Sequence, residues 1–351
     1  TDFFNRIQSS DEVYYGLFSP RLEKRWDGNV KRYRLCVNDD VVDTVSGQAC
    51  TAEQVANTAV VDRTSVEAID PATKLFKETA QSYWSYTVDG NQTTEGGAGS
   101  RITNYRWRRI YTDENVAGLP AAVTWLSSSG FNVSESYWDS VSSPDLTHIH
   151  GAVCDYPNDL GVDSECEKKM LWLLGKDVLD EDFDNITDEN RWAFADSLHA
   201  SPVTITYGFA DSIINKDTNA DGVPDSVNGK YDVGEVQAKK LLVNTNDGAL
   251  RMINPVSGYE EWRFMPMSML ANVSESYNNQ QGEHLYGMDA TPVVHVKDNN
   301  NNGVVEPQAG TNLGDTVHLY QVMRRGGDYV YSLDLTPYST ISSSYSYITP
   351  R

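Results

Sequence analysis

Residues 239 to 264, KKLLVNTNDGALRMINPVSGYEEWRF, constrain the fold of this chain more than any other stretch. Leu241, Leu242 and Val243 open an apolar run. The turn at Asn246-Asp247-Gly248 reverses the chain, and Leu250, Met252 and Ile253 carry it back. Asp-Gly between apolar runs is a strong hairpin signal, and it predicts a type I′ turn with positive φ at both central residues. Pro255-Val256-Ser257-Gly258 supplies a second turn, with a fixed φ followed by a permissive one. Trp262 and Phe264 then recur at strand spacing. Three such strands, with a glycine turn and a tryptophan on the outgoing strand, read as a β-propeller blade. An isolated meander in another all-β fold is the other reading.

Composition supports a β-rich chain: 20 Tyr and 8 Trp among 351 residues favour sheet over a helical bundle. Fifty acidic against 28 basic residues give a formal charge of −22. That field repels phosphates, so nucleic acid is excluded as a partner and divalent cations are attracted. Most of the charge reads as the solubility surface of an exported protein. No apolar run reaches the roughly 20 residues of a membrane helix, so no transmembrane segment is expected. Thr1 does not open a signal peptide, which reads as mature protein or an excised piece.

The four cysteines form two local pairs, Cys36 with Cys50 and Cys154 with Cys166. Each closes a short loop, worth about 3 kcal/mol in the chain-entropy model. No Cys-x-x-Cys occurs, which argues against zinc. Two disulfides in an exported protein is the reading adopted, with four free thiols as the alternative.

Along the chain, residues 12 to 35 read as two strands around a proline and an Asp-Gly turn, and residues 36 to 75 as an irregular polar stretch. Leu75, Phe76, Ala80 and Tyr83 suggest a short amphipathic helix between Pro71 and Ser85. The Gly-rich stretch from Asp89 to Arg101 lacks Gly-Lys-Ser and reads as a structural loop. YRWRRIY at 105 to 111 is a basic patch that alternates like an edge or interface strand. From His199 onward the chain is strand-like through SPVTITYG, ATPVVHVK, TVHLYQVMRR and DYVYSLDL. The expected organisation has three parts: first propeller strands at 1–35, an insertion with short helices and two local disulfides at 36–170, and blades carrying calcium-type loops at 171–351. The fold class is mainly β, a modified β-propeller with an α/β insertion. At roughly 40 to 45 residues per blade, residues 171–351 hold about four blades' worth of chain, so the ring is incomplete in this sequence.

Asp217-Thr-Asn219-Ala-Asp221-Gly222-Val223-Pro-Asp225 places oxygen side chains at positions 1, 3 and 5, a glycine at 6 and an acid at 9. This is the first part of an EF-hand loop, in which alternate residues converge on Ca2+ while the glycine takes the sharp turn. Val223 offers its carbonyl, and Asn228 stands where the bidentate glutamate would be. Asp298, Asn300, Asn302, Val304 and Glu306 repeat the spacing with fewer charges, and an ordinary Asn-rich loop is the alternative there. The acidic loop from Asp177 to Glu189 reads as solvated, without ligand spacing. For catalysis, His148 and His150 alternate on an expected strand in a structural role. Neither Gly-x-Ser-x-Gly nor His-Glu-x-x-His occurs.

Five groups of segments in order resemble the type IV pilus tip-associated adhesin and biogenesis family, PilC/PilY, in its C-terminal propeller domain. They are LFSPRLEKRWDGNVKRYRL; YWSYTVDGNQTTEGGAGSRI with RRIYTDEN; LWLLGKDV with DSLHASPVTITYG; VNTNDGALRMINPVSGYEEWRFMPMSML; and MDATPVV leading to RRGGDYVYSLDLT. The nine-residue pattern at 217 to 225 also occurs in that family's calcium loop. The family's N-terminal part, often a von Willebrand A-like domain, is not in this sequence. The resemblance implies a non-enzymatic, calcium-binding adhesin and assembly factor. Such a protein is exported through the periplasm and outer membrane and displayed at the pilus tip. It supports pilus biogenesis, controls retraction and attaches to surfaces, with minor pilins of the tip complex and a host or abiotic surface receptor as partners. The blade at 239 to 264 also resembles quinoprotein dehydrogenases, the alternative function, but their vicinal cysteine pair is absent here.

Overall fold

The structure, a computed structural model, describes residues 11–37, 43, 45–102, 104–105, 108–114, 122–125, 153, 165–209, 237–301, 303–307, 314–339 and 347–350. Its centre is the predicted three-stranded unit. Strands β7 (Gln237–Thr245), β8 (Ala249–Ile253) and β9 (Glu260–Phe264) run antiparallel, with Leu242, Met252 and Trp262 in one cross-strand row. Strand β6 (Val203–Phe209) adds to β7. On the other side β4 (Ile110–Glu114) pairs parallel to β9 and carries β5 (Ala122–Trp125), giving the six-stranded order β5-β4-β9-β8-β7-β6.

Both faces of this sheet are covered, so every residue of β8 is buried, Arg251 included. Leu242, Leu250, Met252, Trp262 and Phe264 face the larger core with Trp172 and Leu333. Leu241, Val243 and Ile253 face a second core with Val30, Trp84 and Phe194. Helices α2 (Glu165–Leu174), α3 (Met267–Leu270) and α4 (Val273–Asn278) contribute to the larger core, and a short helix α1 (Ala52–Ala56) lies earlier in the chain.

The first turn differs from the expected type I′. Thr245 pairs with Ala249 across a three-residue loop, the Gly248 amide donates to the Thr245 carbonyl at 3.1 Å, and of the loop residues only Gly248 has positive φ, +90°. That is a type I turn closed by one left-handed residue. At the second turn Gly258 has φ +78°, and a Cβ there would lie 2.6 Å from Trp84 Cγ. The Trp84 indole donates to the Pro255 carbonyl at 3.0 Å, so a residue from just before the Gly-rich stretch packs on the central unit.

Strands β1 (Glu12–Ser19) and β2 (Asp27–Leu35) pair as expected, but Asp27-Gly28 opens β2 instead of forming the turn. Strand β3 (Val60–Val61) completes that sheet. Cys36 and Cys50 are disulfide-bonded, and Cys166 is disulfide-bonded too, while Cys154 lies outside the described residues. The helix expected between Pro71 and Ser85 does not form. Asp70 Oδ1 accepts the Ala72 and Thr73 amides, Lys74 takes φ +62°, and Leu75 is 65% exposed. Side-chain bonds to nearby amides have replaced the helical turn. The Gly-rich stretch is structural: Asn29 donates to the carbonyls of Thr93, Glu95 and Gly96, and Lys31 pairs with Asp89 at 3.0 Å. Of YRWRRIY, Ile110 and Tyr111 belong to β4, which lies between β5 and β9 and not at an edge, and Arg108 is 2% exposed.

A third sheet, β10 (Val293–Lys297), β11 (Thr316–Val322) and β12 (Val330–Asp334), is a meander. Val317, Leu319 and Leu333 face the core, while Val293, Tyr320, Val322 and Val330 are exposed. The fold is therefore mainly β with several sheets, none of them closed among the described residues.

Candidate metal centre

The loop at Asp217, Asn219, Asp221, Val223 and Asp225 lies outside the described residues, as does Asn302 of the second loop. The rest of the second loop is ordered by its first ligand position. Asp298 Oδ1 accepts the amides of Asn300 and Asn301 at 3.2 and 2.8 Å, and Oδ2 accepts the Gly303 amide at 2.8 Å. Asn301 and Gly303 take φ +56° and +80°, which bends the chain around the carboxylate. Asn300 Nδ2 donates to Glu306 Oε2 at 2.9 Å, so the third and ninth positions are already in contact. To coordinate a cation Asn300 presents its Oδ1, the acceptor of its amide.

Two neighbours fix this loop. Val304 is buried against the bulge of β6 at Gly208, and the Val305 amide donates to the Tyr207 carbonyl at 2.8 Å. Asp315, 1% exposed, accepts the Asn299 amide at 2.9 Å through Oδ1 and the Glu306 amide at 2.9 Å through Oδ2. It ties the two ends of the loop together. Sequence reasoning missed it because it lies outside the nine-residue pattern.

The acidic loop departs from expectation. Carboxylate oxygens of Asp180, Asp182 and Asp184 all lie within 4.8 Å of one another, and Asp177, Asp182 and Glu189 form a second such group that shares Asp182. These clusters could hold a metal ion. The spacing is present after all: Asp180, Asp182, Asp184 and Asp188 occupy positions 1, 3, 5 and 9, as in the loop beginning at Asp217. Asn185 stands at the sixth position in place of glycine, and it adopts φ +68°; asparagine tolerates the left-handed region better than most residues. Asp188 is turned away, accepting the Tyr105 hydroxyl at 2.7 Å. Burial raises the Asp177 pKa, and the charges of Glu181 and Asp182 add to the rise. Desolvation and then Asp184 and Asp182 likewise raise that of Glu189. These acids repel one another, and a divalent cation would relieve the repulsion.

His148 and His150 lie outside the described residues. His199 Nδ1 lies 2.8 Å from Asp289, and His284 bonds the Lys24 carbonyl while stacking on Trp26 at 4.0 Å. Strand register sets His295 opposite His318 and His318 opposite Asp334. Among the described residues the convergent groups of three metal-ligating side chains all belong to the acidic loop, so this row is not one of them.

No protein-family model matches the chain, and no curated protein or solved structure is significantly similar to it. The Cys36–Cys50 disulfide fits an oxidising, extracellular or periplasmic setting. Among the described residues no helix is long and apolar enough to cross a membrane.

Proposed function

We propose that the chain is a calcium-binding adhesin and assembly factor of the type IV pilus tip, built on a modified β-propeller to which the open sheets belong. The observation that carries the calcium reading is the convergence of Asp180, Asp182 and Asp184 in a 1-3-5 loop. The loops beginning at Asp217 and Asp298 repeat that spacing, and hard oxygen donors in this pattern suit Ca2+ over softer metals. The pilus assignment rests on the ordered segments that resemble PilC/PilY. In this reading the protein is not an enzyme. It is displayed outside the cell, engages minor pilins, and carries the exposed residues of β10 to β12 towards a surface receptor.

Deleting the gene should reduce surface pili and adhesion, with recovery by the wild-type gene and weaker recovery by a variant carrying Asp182→Ala and Asp221→Ala. Normal piliation and adhesion in the deletion strain, together with quinone-dependent dye reduction by the purified protein, would replace this reading with that of a dehydrogenase.

A further inference from the structure

Behind the central sheet lies a cavity of about 20 Å³, enough for one water-sized occupant, lined among others by Arg25, Trp26, Trp172, Arg191, Asp247 and Arg263. Its walls carry more positive charge than their partners neutralise. Five guanidinium groups crowd this region: Arg25, Arg191 and Arg263 line it, and Arg108 and Arg251 stand behind. Three carboxylates bond or approach them, and Asp27 and Asp177 also act on Arg191 through space. Glu181 bonds Arg25 at 2.9 Å, Asp247 bonds Arg251 and lies 3.8 Å from Arg263, and Glu260 is shared by Arg108 and Arg251. Asp27, also in the lining, is paired with Arg21, so that pair adds no net charge.

Arg191 has carbonyls as its hydrogen-bond partners, with Glu181 and Asp247 acting on it only through space, and Arg25 and Arg263 keep open donors. Arg191 donates to the carbonyls of Trp172 and Trp192, both at 3.1 Å, and stacks over the Trp172 ring at 3.8 Å. Arg263 donates through Nη2 to the Leu173 carbonyl, yet its Nε has no hydrogen-bond partner and its side chain is 1% exposed. Arg25 Nη1 is likewise buried without a partner. Burial and then the charge of Arg108 push the Arg263 pKa well down, which marks a cation short of compensation. A guanidinium does not shed its proton in a protein, so an anion beside the open Nε would be stabilised there.

We infer that this cavity binds one small monovalent anion of halide size, held between Arg25, Arg191 and Arg263. The occupant joins three separated parts of the chain: the segment before β2, the stretch after the acidic loop, and β9. The inference is independent of the calcium reading, because it involves none of those loops' ligands.

The full chain should be prepared in sodium gluconate and titrated with sodium chloride at constant ionic strength and without calcium, following thermal unfolding. The expected result is a saturating rise in melting temperature. At ten times the dissociation constant, the folding equilibrium should shift about 11-fold. Arg263→Met should abolish the chloride-specific part. A crystal of the wild-type protein grown with bromide should show an anomalous peak among the three arginines, and this arm needs no variant to fold. Superimposable chloride and gluconate curves, or a bromide-grown crystal without that peak, would overturn the inference.

Discussion

Arg108 and Glu260 meet side by side, Nε to Oε1 at 2.6 Å and Nη2 to Oε2 at 3.0 Å, although 152 residues separate them in the chain. Arg251 takes the same carboxylate from the other side. The three side chains are nearly inaccessible, and together they lock the entry to β4 against β8 and β9. Burial works against ionisation of Glu260, but Arg108 and then Arg251 outweigh it and hold the carboxyl well below its usual range.

Glu260→Gln should therefore be severely destabilising. It removes the shared counter-charge and strands two buried guanidinium groups, a loss of about 3–5 kcal/mol. Urea unfolding of the two proteins measures it. A loss below about 1 kcal/mol would mean that water already solvates the pair.

A second ion cluster sets acid sensitivity. Glu12 accepts from Arg32 at 2.8 Å and from Lys239 at 2.7 Å, joining β1, β2 and β7. Burial opposes its ionisation, yet Arg32 and Lys239 prevail and its pKa falls to about 2. A depressed carboxylate contributes stability above its unfolded pKa of about 4.3 and loses it as pH falls towards 2. The wild type should lose on the order of 3 kcal/mol across that window that Glu12→Gln does not lose. Denaturation midpoints from pH 7 to pH 2 for both proteins test this. Parallel curves would remove Glu12 as the source.

Two glycines separate backbone strain from crowding. Gly47, at φ +67°, has nothing within 4 Å of a built Cβ, whereas at Gly258, φ +78°, that atom meets Trp84. Gly47→Ala should cost about 1 kcal/mol from backbone conformation alone, and Gly258→Ala at least about 2 kcal/mol more, because the indole must move. Equal melting temperatures for the two variants would show that Trp84 has room to yield.

The central strands were legible because the Leu241–Val243 and Leu250–Ile253 runs match a sheet buried on both faces. The ion network was not. Lys240, Arg251 and Arg263 are all within 1% of full burial, at strand positions where a charge ordinarily signals solvent. Nor does any local pattern announce the parallel contact of Ile110 with Arg263 that widens the sheet to six strands. The acidic loop was a different failure. Its 1-3-5-9 spacing stands in the sequence with Asn185 in place of glycine at the sixth position, and Asn185 meets the same backbone demand.

The central claim is that these loops bind calcium, and titration calorimetry tests it most directly. Calcium added to metal-free wild type should bind in the micromolar to millimolar range of sensors and extracellular modules. Asp182→Ala, at an exposed position shared by both acidic groups, should remove one class of site with the fold intact, and Asp221→Ala should remove another. No calcium binding to the wild type, or the same stoichiometry and affinity in all three proteins, would contradict the account.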